Sequence, residues 1–328
     1  MYYKEHADII DECIFEKAED FLDYLRPSRE HWRASGDLAC RWIFRGHADA
    51  EWDLLPSAWR GREQDKANLL YEPYMKWRNR NCGYRLNILS SESKKIPEYD
   101  ERCQHICALR KAEYSVVVAF AELLNEIGER IPGEWPIREY RNIGLKPDPL
   151  TGEEPDSHAK HEAFALAQHH KVPTRLLDWT ANPLVAAFFA AADKKNAGEH
   201  LAVWAFNPSL VTLDEFTIVT PQKSEIGFLH AQQGVFTLFG DADRHYIRTG
   251  RWPRLDLGHG IGPLPRTRPI RKLTLPGTEA SKLLYFLWLE RVSLAHLMPT
   301  HDNVTRTLEI VGKQLVRVAT HQQEDAAE

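Results

Sequence analysis

The sequence predicts an α+β fold, built on a mixed or split antiparallel β core with helices at the N- and C-terminal ends. Short β-prone runs end in glycine, asparagine or proline, and longer segments between them carry apolar residues at helical spacing. The β-prone runs cover residues 41–47, 176–180, 200–206, 216–220, 234–239 and 270–275.

The predicted helices divide the chain into three parts. An N-terminal helical segment spans 1–37, a main domain with a helical insertion near 61–160 spans 38–308, and a C-terminal helix and tail span 309–328. Between Gly240 and Thr267, glycines, prolines and arginines predict a long irregular segment. The helices are predicted at Tyr3–Tyr24, Tyr71–Trp77, Glu101–Gly128, His161–His170, 183–196, Thr278–Leu289 and Val304–His321.

Composition excludes several classes of protein. The chain has 328 residues, of which 43% are hydrophobic, which is ample for a sizeable core. A net charge of -5 argues against a protein held mainly by phosphate contacts. The five scattered cysteines predict no disulfide framework and fit a reducing cytoplasm, and no apolar run is long enough to cross a membrane.

Familiar catalytic motifs are missing from the sequence. There is no glycine-rich phosphate loop, no dinucleotide fingerprint and no Gly-x-Ser-x-Gly elbow. Cys103 and Cys107 suggest a metal site, but they have no second cluster and serve equally well as small apolar groups on a helix. No metal is expected.

The stretch Gln168–Ala191 carries the densest group of polar residues. Pro173 ends one helix, and Asn182 and Pro183 begin the next as cap and first helical residue. The order helix, polar turn, strand, buried helix therefore predicts a concavity, whose mouth holds Thr174, Arg175, Asp178 and Thr180. The alternative is structural: Arg175 and Asp178 form a fixed ion pair that holds the turn.

A second run, Trp42–His47, is predicted as a strand that delivers Arg45 at its end. Because side chains alternate along a strand, Trp42 and Phe44 share one face while Ile43 and Arg45 share the other. Arg45 is therefore expected to be partly buried.

These two runs together resemble the FRG domain family, which is known by its Phe/Tyr-Arg-Gly motif. The resemblance rests on Phe44-Arg45-Gly46, on the run from Gln168 to Thr180, and on the Ala-Phe helix that follows. It also takes in Gln233–Thr237 and Leu294–Leu308, so it covers roughly 38–308, and Lys171 stands where the family more often has glycine. The resemblance implies a bacterial toxin or phage-defence component.

A more distant resemblance is to ADP-ribosyltransferases of the arginine-serine-glutamate type, which implies their fold and NAD as substrate. It implies that Arg45 binds the ribose or phosphate and that Thr180 supports the ribose. Gln233 stands where that family has its catalytic glutamate. These three form the expected catalytic set, and the expected ligand-binding residues are Phe44, Gly46, His169, Thr174, Arg175, Asp178 and Trp179.

Gln233 carries no charge, so His169, Asp178 or Glu225 is left to supply a carboxylate or base. Three hypotheses follow. In the first, the chain is an ADP-ribosyltransferase or NAD glycohydrolase, with a protein or nucleic-acid acceptor and an antitoxin or defence partner. In the second, it is a non-catalytic nucleotide-sensing module. In the third, it binds nucleic acid through the arginines of 244–268. The first requires Arg45 and the Thr180 hydroxyl to face each other across a single cleft.

Overall fold

A computed structural model describes residues 9–33, 40–61, 64–79, 98–129, 157–211, 216–221, 231–261 and 268–312. Within these ranges, no helix is both long and apolar enough to span a bilayer. The main helices are α1 (Ala18–Leu25), α2 (Tyr71–Arg78), α3 (Tyr99–Glu126), α4 (Ser157–His169), α5 (Pro183–Ala192), α6 (Ala242–Thr249), α7 (Ala280–Leu289), α8 (Leu294–Leu297) and α9 (301–312).

The strands form one seven-stranded mixed sheet in the order β1-β7-β4-β2-β3-β6-β5. Strands β1 and β7 pair in parallel, and all the other neighbours pair antiparallel. The α+β class is thereby confirmed. The strands are β1 (Ile10–Ile14), β2 (Ile43–His47), β3 (Leu177–Thr180), β4 (His200–Phe206), β5 (Phe216–Val219), β6 (Gly234–Phe239) and β7 (Ile270–Pro276).

Helices cover both faces of the sheet. Helices α1, α5 and α7 pack on one face, where Phe44, Val203 and Leu273 point into a single apolar cluster. Helices α2 and α3 lie over the opposite face, against Ile43 and Trp204. Trp42 packs with the first cluster and Ile43 with the second, so the predicted alternation along β2 is confirmed.

The N-terminal prediction of a helix over Tyr3–Tyr24 is wrong in its first half. Ile10–Ile14 is an edge strand paired with β7, and the helix begins at Ala18. The apolar residues Ile10, Cys13 and Ile14 have helical spacing, and pairing with the neighbouring strand overrides that local pattern. Residues 1–8 lie outside the described residues.

The interval 240–267, predicted as irregular, contains helix α6 and a 3-10 turn at Leu255–Leu257. The helix forms because Ala242 and Ile247 are buried on one side while polar residues face outward. The predicted last helix is present over 301–312, and residues 313–321 lie outside the described part. Most of the loops predicted between residues 61 and 160 also lie outside the described residues.

Local sequence signals fix the helix that packs over β2. The side chain of Asn182 accepts a hydrogen bond from the backbone N–H of Leu184, and Pro183 occupies the first helical position, as predicted. Helix α5 ends at Ala192, earlier than the predicted 196, and a 3-10 turn at Lys194–Asn196 follows it.

Candidate functional site

The sheet opens into a fork between its two central strands. Strand β2 pairs with β4 at five positions but with β3 at only one, where Phe44 lies opposite Thr180. Beyond that pair β2 and β3 diverge. Arg45, the residue after Phe44, and Asp178, two residues before Thr180, meet in the gap.

Arg45 bridges the fork. Its Nη1 donates to the Asp178 backbone oxygen at 2.8 Å and lies 2.7 Å from the Asp178 carboxylate, and its Nε donates to Nε2 of His47 at 2.9 Å. The Arg45 residue is 8% exposed, so the expected partial burial is confirmed. A nitrogen that accepts from Arg45 cannot carry a proton, so the neutral His47 ring carries its proton on Nδ1.

Of the two side chains that contact Arg45, that of His47 is neutral and that of Asp178 is negatively charged. Burial, reinforced by the charge of Arg45, lowers the pKa of His47 well below its ordinary value, so that ring is neutral. Burial would raise the pKa of Asp178, but the charge and hydrogen bond of Arg45, with the charge of Arg60, outweigh it and hold that pKa at about 2. Asp178 is therefore ionised throughout the physiological range.

Asp178 is also accessible. About half of its side chain, 52%, is exposed, even though the surrounding protein atoms desolvate it. Asp178 is thus a half-exposed carboxylate within the fork, and we call the solvent-facing side of the fork the recess. Gln168 donates from Nε2 to the Asp178 carboxylate at 3.2 Å and accepts from the hydroxyls of Thr174 and Ser57.

Two further polar groups border the recess. His169, the last residue of α4, follows Gln168, and burial lowers its pKa to about 4 while the nearby Asp178 charge opposes that shift. Arg60 is exposed and donates from Nε to the Leu55 oxygen at 3.2 Å. The fork thus presents an ionised carboxylate, a neutral imidazole and a guanidinium to solvent.

Thr180 and Gln233 lie apart from this group. The Thr180 hydroxyl donates to the Gln232 backbone oxygen at 2.6 Å and accepts from the Asn182 N–H at 3.0 Å. The Thr180 hydroxyl is thus engaged by backbone groups, while Arg45 binds Asp178, two residues before Thr180 on β3. That Arg45 and the Thr180 hydroxyl face each other across a single cleft stays a prediction.

Gln233 is exposed, and its backbone oxygen accepts from the Ala181 N–H at 3.0 Å, so it lies beside Thr180 and not beside Arg45. Phe44 and Trp179, expected as ligand contacts, are core residues. Gly46 faces helix α5, and a Cβ there would lie 2.0 Å from the Ala186 backbone oxygen. These positions build the scaffold behind the fork.

Arg175 has a partner other than the one its place in the chain suggests. Its guanidinium binds the buried carboxylate of Glu113 through Nε at 2.8 Å and Nη2 at 3.2 Å, and lies 3.6 Å from Asp243. The alternative of an Arg175–Asp178 ion pair is therefore wrong. Arg175 ties the turn before β3 to helices α3 and α6.

Lys171 adopts the left-handed backbone conformation, with φ of 65°. This is the conformation that glycine favours, and the resembling family more often has glycine at this position. A lysine therefore holds a backbone conformation here that is strained for a residue with a side chain.

The other candidate sites are occupied by internal contacts. Cys103 and Cys107 are buried on α3, and the described residues hold no group of three or more histidine, cysteine or acidic side chains able to bind a metal. In the basic segment, Arg244 pairs with Asp241, Arg254 with Asp53 and Asp256, and Arg268 with Asp11. These ion pairs favour a structural role for that segment.

The fold and the fork describe an α+β domain whose centre is an arginine at the end of one strand and an aspartate on the next. In the comparison with known families, a model of the FRG domain matches residues 138–200, so the match includes Asp178 but not Arg45. The match contains α4, the polar turn, β3 and α5, and it supports the FRG family. No curated protein and no solved structure matches the chain, so the resemblance to ADP-ribosyltransferases gains no support.

Sequence reasoning did not select four residues that build the fork, namely His47, Ser57, Arg60 and Gln168. His47 had a signal, because it lies two residues after Arg45 on the same face of a predicted strand. Gln168 had one as well, because it begins the polar stretch before β3, but Ser57 had none, since it meets Gln168 across 111 residues of chain. Such long-range pairs are not visible in a local pattern.

Proposed function

We propose that the fork binds NAD and cleaves the bond between its nicotinamide and ribose, as an NAD glycohydrolase or ADP-ribosyltransferase does. The observation that carries the proposal is Asp178, an ionised and half-exposed carboxylate held by Arg45 and Gln168. It supplies the negative charge that Gln233 lacks.

The chemistry requires such a charge. As the C1′–N bond breaks, its electron pair goes to nicotinamide and positive charge develops on the ribose, which a nearby carboxylate stabilises. A water oxygen, or a nucleophile of an acceptor, then bonds to C1′. We assign the neutral His169 as acceptor of the proton that this nucleophile loses; since its pKa is about 4, it is a weak base that passes the proton on to solvent at once.

The cationic groups suit the remainder of NAD. Arg60 is exposed at the border of the recess and close enough to Asp178 to lower the pKa of that carboxyl. Its planar guanidinium is a good partner for a diphosphate. We expect replacement of Arg60 by alanine to weaken NAD binding more than it slows bond cleavage.

The test is release of labelled nicotinamide from NAD by the purified chain. Asp178→Asn should lower the rate by about 10²–10³-fold, the usual cost of one group that stabilises transition-state charge. Gln104→Leu is the matched control and should keep most of the activity, because Gln104 binds Arg78, away from the fork. Wild-type release no faster than the buffer blank, or a folded Asp178→Asn at the wild-type rate, would refute the proposal.

A second candidate, a nucleotide-sensing module without chemistry, is favoured by the burial of Arg45. Its Nε and Nη1 are already engaged by His47 and Asp178, as in a structural ion pair. Calorimetry separates the two functions: NAD binding without nicotinamide release selects the sensor.

In the cell, we propose a cytoplasmic toxin or phage-defence effector that consumes NAD or modifies a protein or nucleic-acid acceptor, and that an antitoxin or defence partner controls. Support comes from the FRG match. Expression of wild-type chain should arrest bacterial growth and lower cellular NAD, whereas Asp178→Asn should do neither. Arrest that persists with Asp178→Asn would separate toxicity from the fork.

A further inference from the structure

The amide of Gln168 is held in one orientation by two hydroxyl groups. Its Oε1 accepts from the Thr174 hydroxyl at 2.9 Å and from the Ser57 hydroxyl at 3.1 Å. Thr174 is fully buried, and its own oxygen accepts from the Leu176 N–H at 3.2 Å, so its single proton is directed to Gln168.

Ser57 is fixed from the other side. Its oxygen accepts from the Thr174 N–H at 3.1 Å, and its proton lies between Gln168 Oε1 at 3.1 Å and the Thr174 backbone oxygen at 3.3 Å. The adjacent Ala58 N–H donates to the same Thr174 backbone oxygen at 3.2 Å. The 3-10 turn at Ser57–Trp59 is thereby joined to the turn that precedes β3. Rotation of the Gln168 amide would point its oxygen at the Asp178 carboxylate and its NH2 at two hydroxyl protons.

We propose that Gln168, oriented by Ser57 and Thr174, is a positioning residue that fixes the Asp178 carboxylate within the fork. Asp178 is then held from two sides, by Arg45 from β2 and by Gln168 from the end of α4. A carboxylate fixed in this way keeps one exposed face for a ligand. The role of this carboxylate in ribosyl cleavage rests on the proposed function, but its positioning does not.

The first experiment measures the titration of the Asp178 carboxyl carbon by NMR, with its signal assigned by loss in Asp178→Asn. The groups that face this carboxylate are Arg45 and His47 from β2, Arg60, His169 and Gln168 itself. Replacing Gln168 by leucine removes one donor to the charged form, so the midpoint should rise by about one pH unit.

Two further variants sharpen the result. Ser57→Ala removes one of the two hydroxyls that orient the Gln168 amide. It should raise the Asp178 titration midpoint by less than Gln168→Leu does. Gln104→Leu is the matched control, since that glutamine also binds through both ends of its amide, to Arg78, away from the fork. It should leave the Asp178 midpoint unchanged. An unchanged midpoint in a folded Gln168→Leu overturns the positioning role.

The second experiment connects positioning to chemistry. In a chain that releases nicotinamide, Gln168→Leu should lower kcat by about tenfold with little change in KM, because positioning acts on the reacting carboxylate. A lower affinity with normal kcat would instead make Gln168 a binding residue and overturn the proposal. Absence of wild-type release refutes the proposed function, and the titration still decides whether Gln168 positions Asp178.

Discussion

At the scale of single residues, Phe44, Arg45 and Gly46 each meet a different part of the molecule. Phe44 is fully buried under the helices on one face, and Arg45 enters the fork with Asp178. Gly46 lets helix α5 approach the strand backbone. Three adjacent residues can do this because alternate side chains of a strand leave opposite faces.

Gly46→Ala should strongly destabilise the fold. The added Cβ would lie 2.0 Å from the Ala186 oxygen and 2.7 Å from the Ala190 nitrogen, and both are backbone atoms of a buried helix. Forced shifts of this kind cost about 1–3 kcal/mol or more. Urea denaturation followed by circular dichroism measures the loss.

Gly312→Ala is the control for this substitution. Gly312 lies in helix α9, where a Cβ would meet nothing within 4 Å, so alanine should be neutral or stabilise by about 0.5–1 kcal/mol. Equal denaturation midpoints for Gly46→Ala and wild type would contradict the close approach of α5 to β2.

At the scale of elements, a buried network of four charges joins helix α3, the turn before β3 and helix α6. Glu113 is 1% exposed and binds Arg175, while Asp243 binds Arg110 at 2.7 Å. Burial raises the pKa of Glu113 even though Arg175 opposes the shift. A raised carboxyl pKa means that burying this charge costs stability at neutral pH.

Arg175→Met should therefore destabilise the chain by about 3–5 kcal/mol, because it leaves Glu113 charged, buried and without its main partner. The double variant Arg175→Met/Glu113→Leu should recover a large part of that loss, since no buried charge is stranded. Urea denaturation of the two single variants and the double variant gives the coupling energy. Simple additivity of the two losses would show that the pair does not act as a unit.

The same elements show what the sequence could predict. Helices α3 and α4 and the six strands from β2 to β7 follow from local periodicity, capping and turn residues, so their existence was predictable. Their partners were not: Arg175 binds Glu113, 62 residues earlier, and Arg45 binds Asp178, 133 residues later. The fork exists because β2 and β3 pair at a single position, and no local sequence pattern predicts that the pairing ends there.

At the scale of the whole molecule, several buried or partly buried histidines are neutral rings. Burial lowers the pKa of His105, His169 and His245 to about 4, and it lowers that of the buried His47 well below its ordinary value. They lie in α3, α4, α6 and β2, so protonating them would destabilise both the sheet and the helices around it.

Acid should therefore destabilise the fold over a defined range. In the unfolded chain, His105, His169 and His245 gain a proton near pH 6.5, whereas in the folded chain they gain it only near pH 4. Between those two pH values, the unfolded state therefore binds more protons than the folded state. Stability should be complete above about pH 6.5 and fall steadily towards pH 4.

Below pH 4 a second loss should begin. The pKa of Asp178 is about 2 in the folded chain against an ordinary 3.8, so its contribution is present above 3.8 and disappears as the pH falls towards 2. Urea midpoints measured from pH 7.5 down to 2 test both stages. His105→Gln keeps a partner for the Tyr74 hydroxyl, which lies 2.8 Å from His105 Nδ1, and should flatten only the first stage. A wild-type urea midpoint that stays constant from pH 7 to 4 would contradict the first stage. It would mean that protonation of these histidines does not lower the free energy of unfolding.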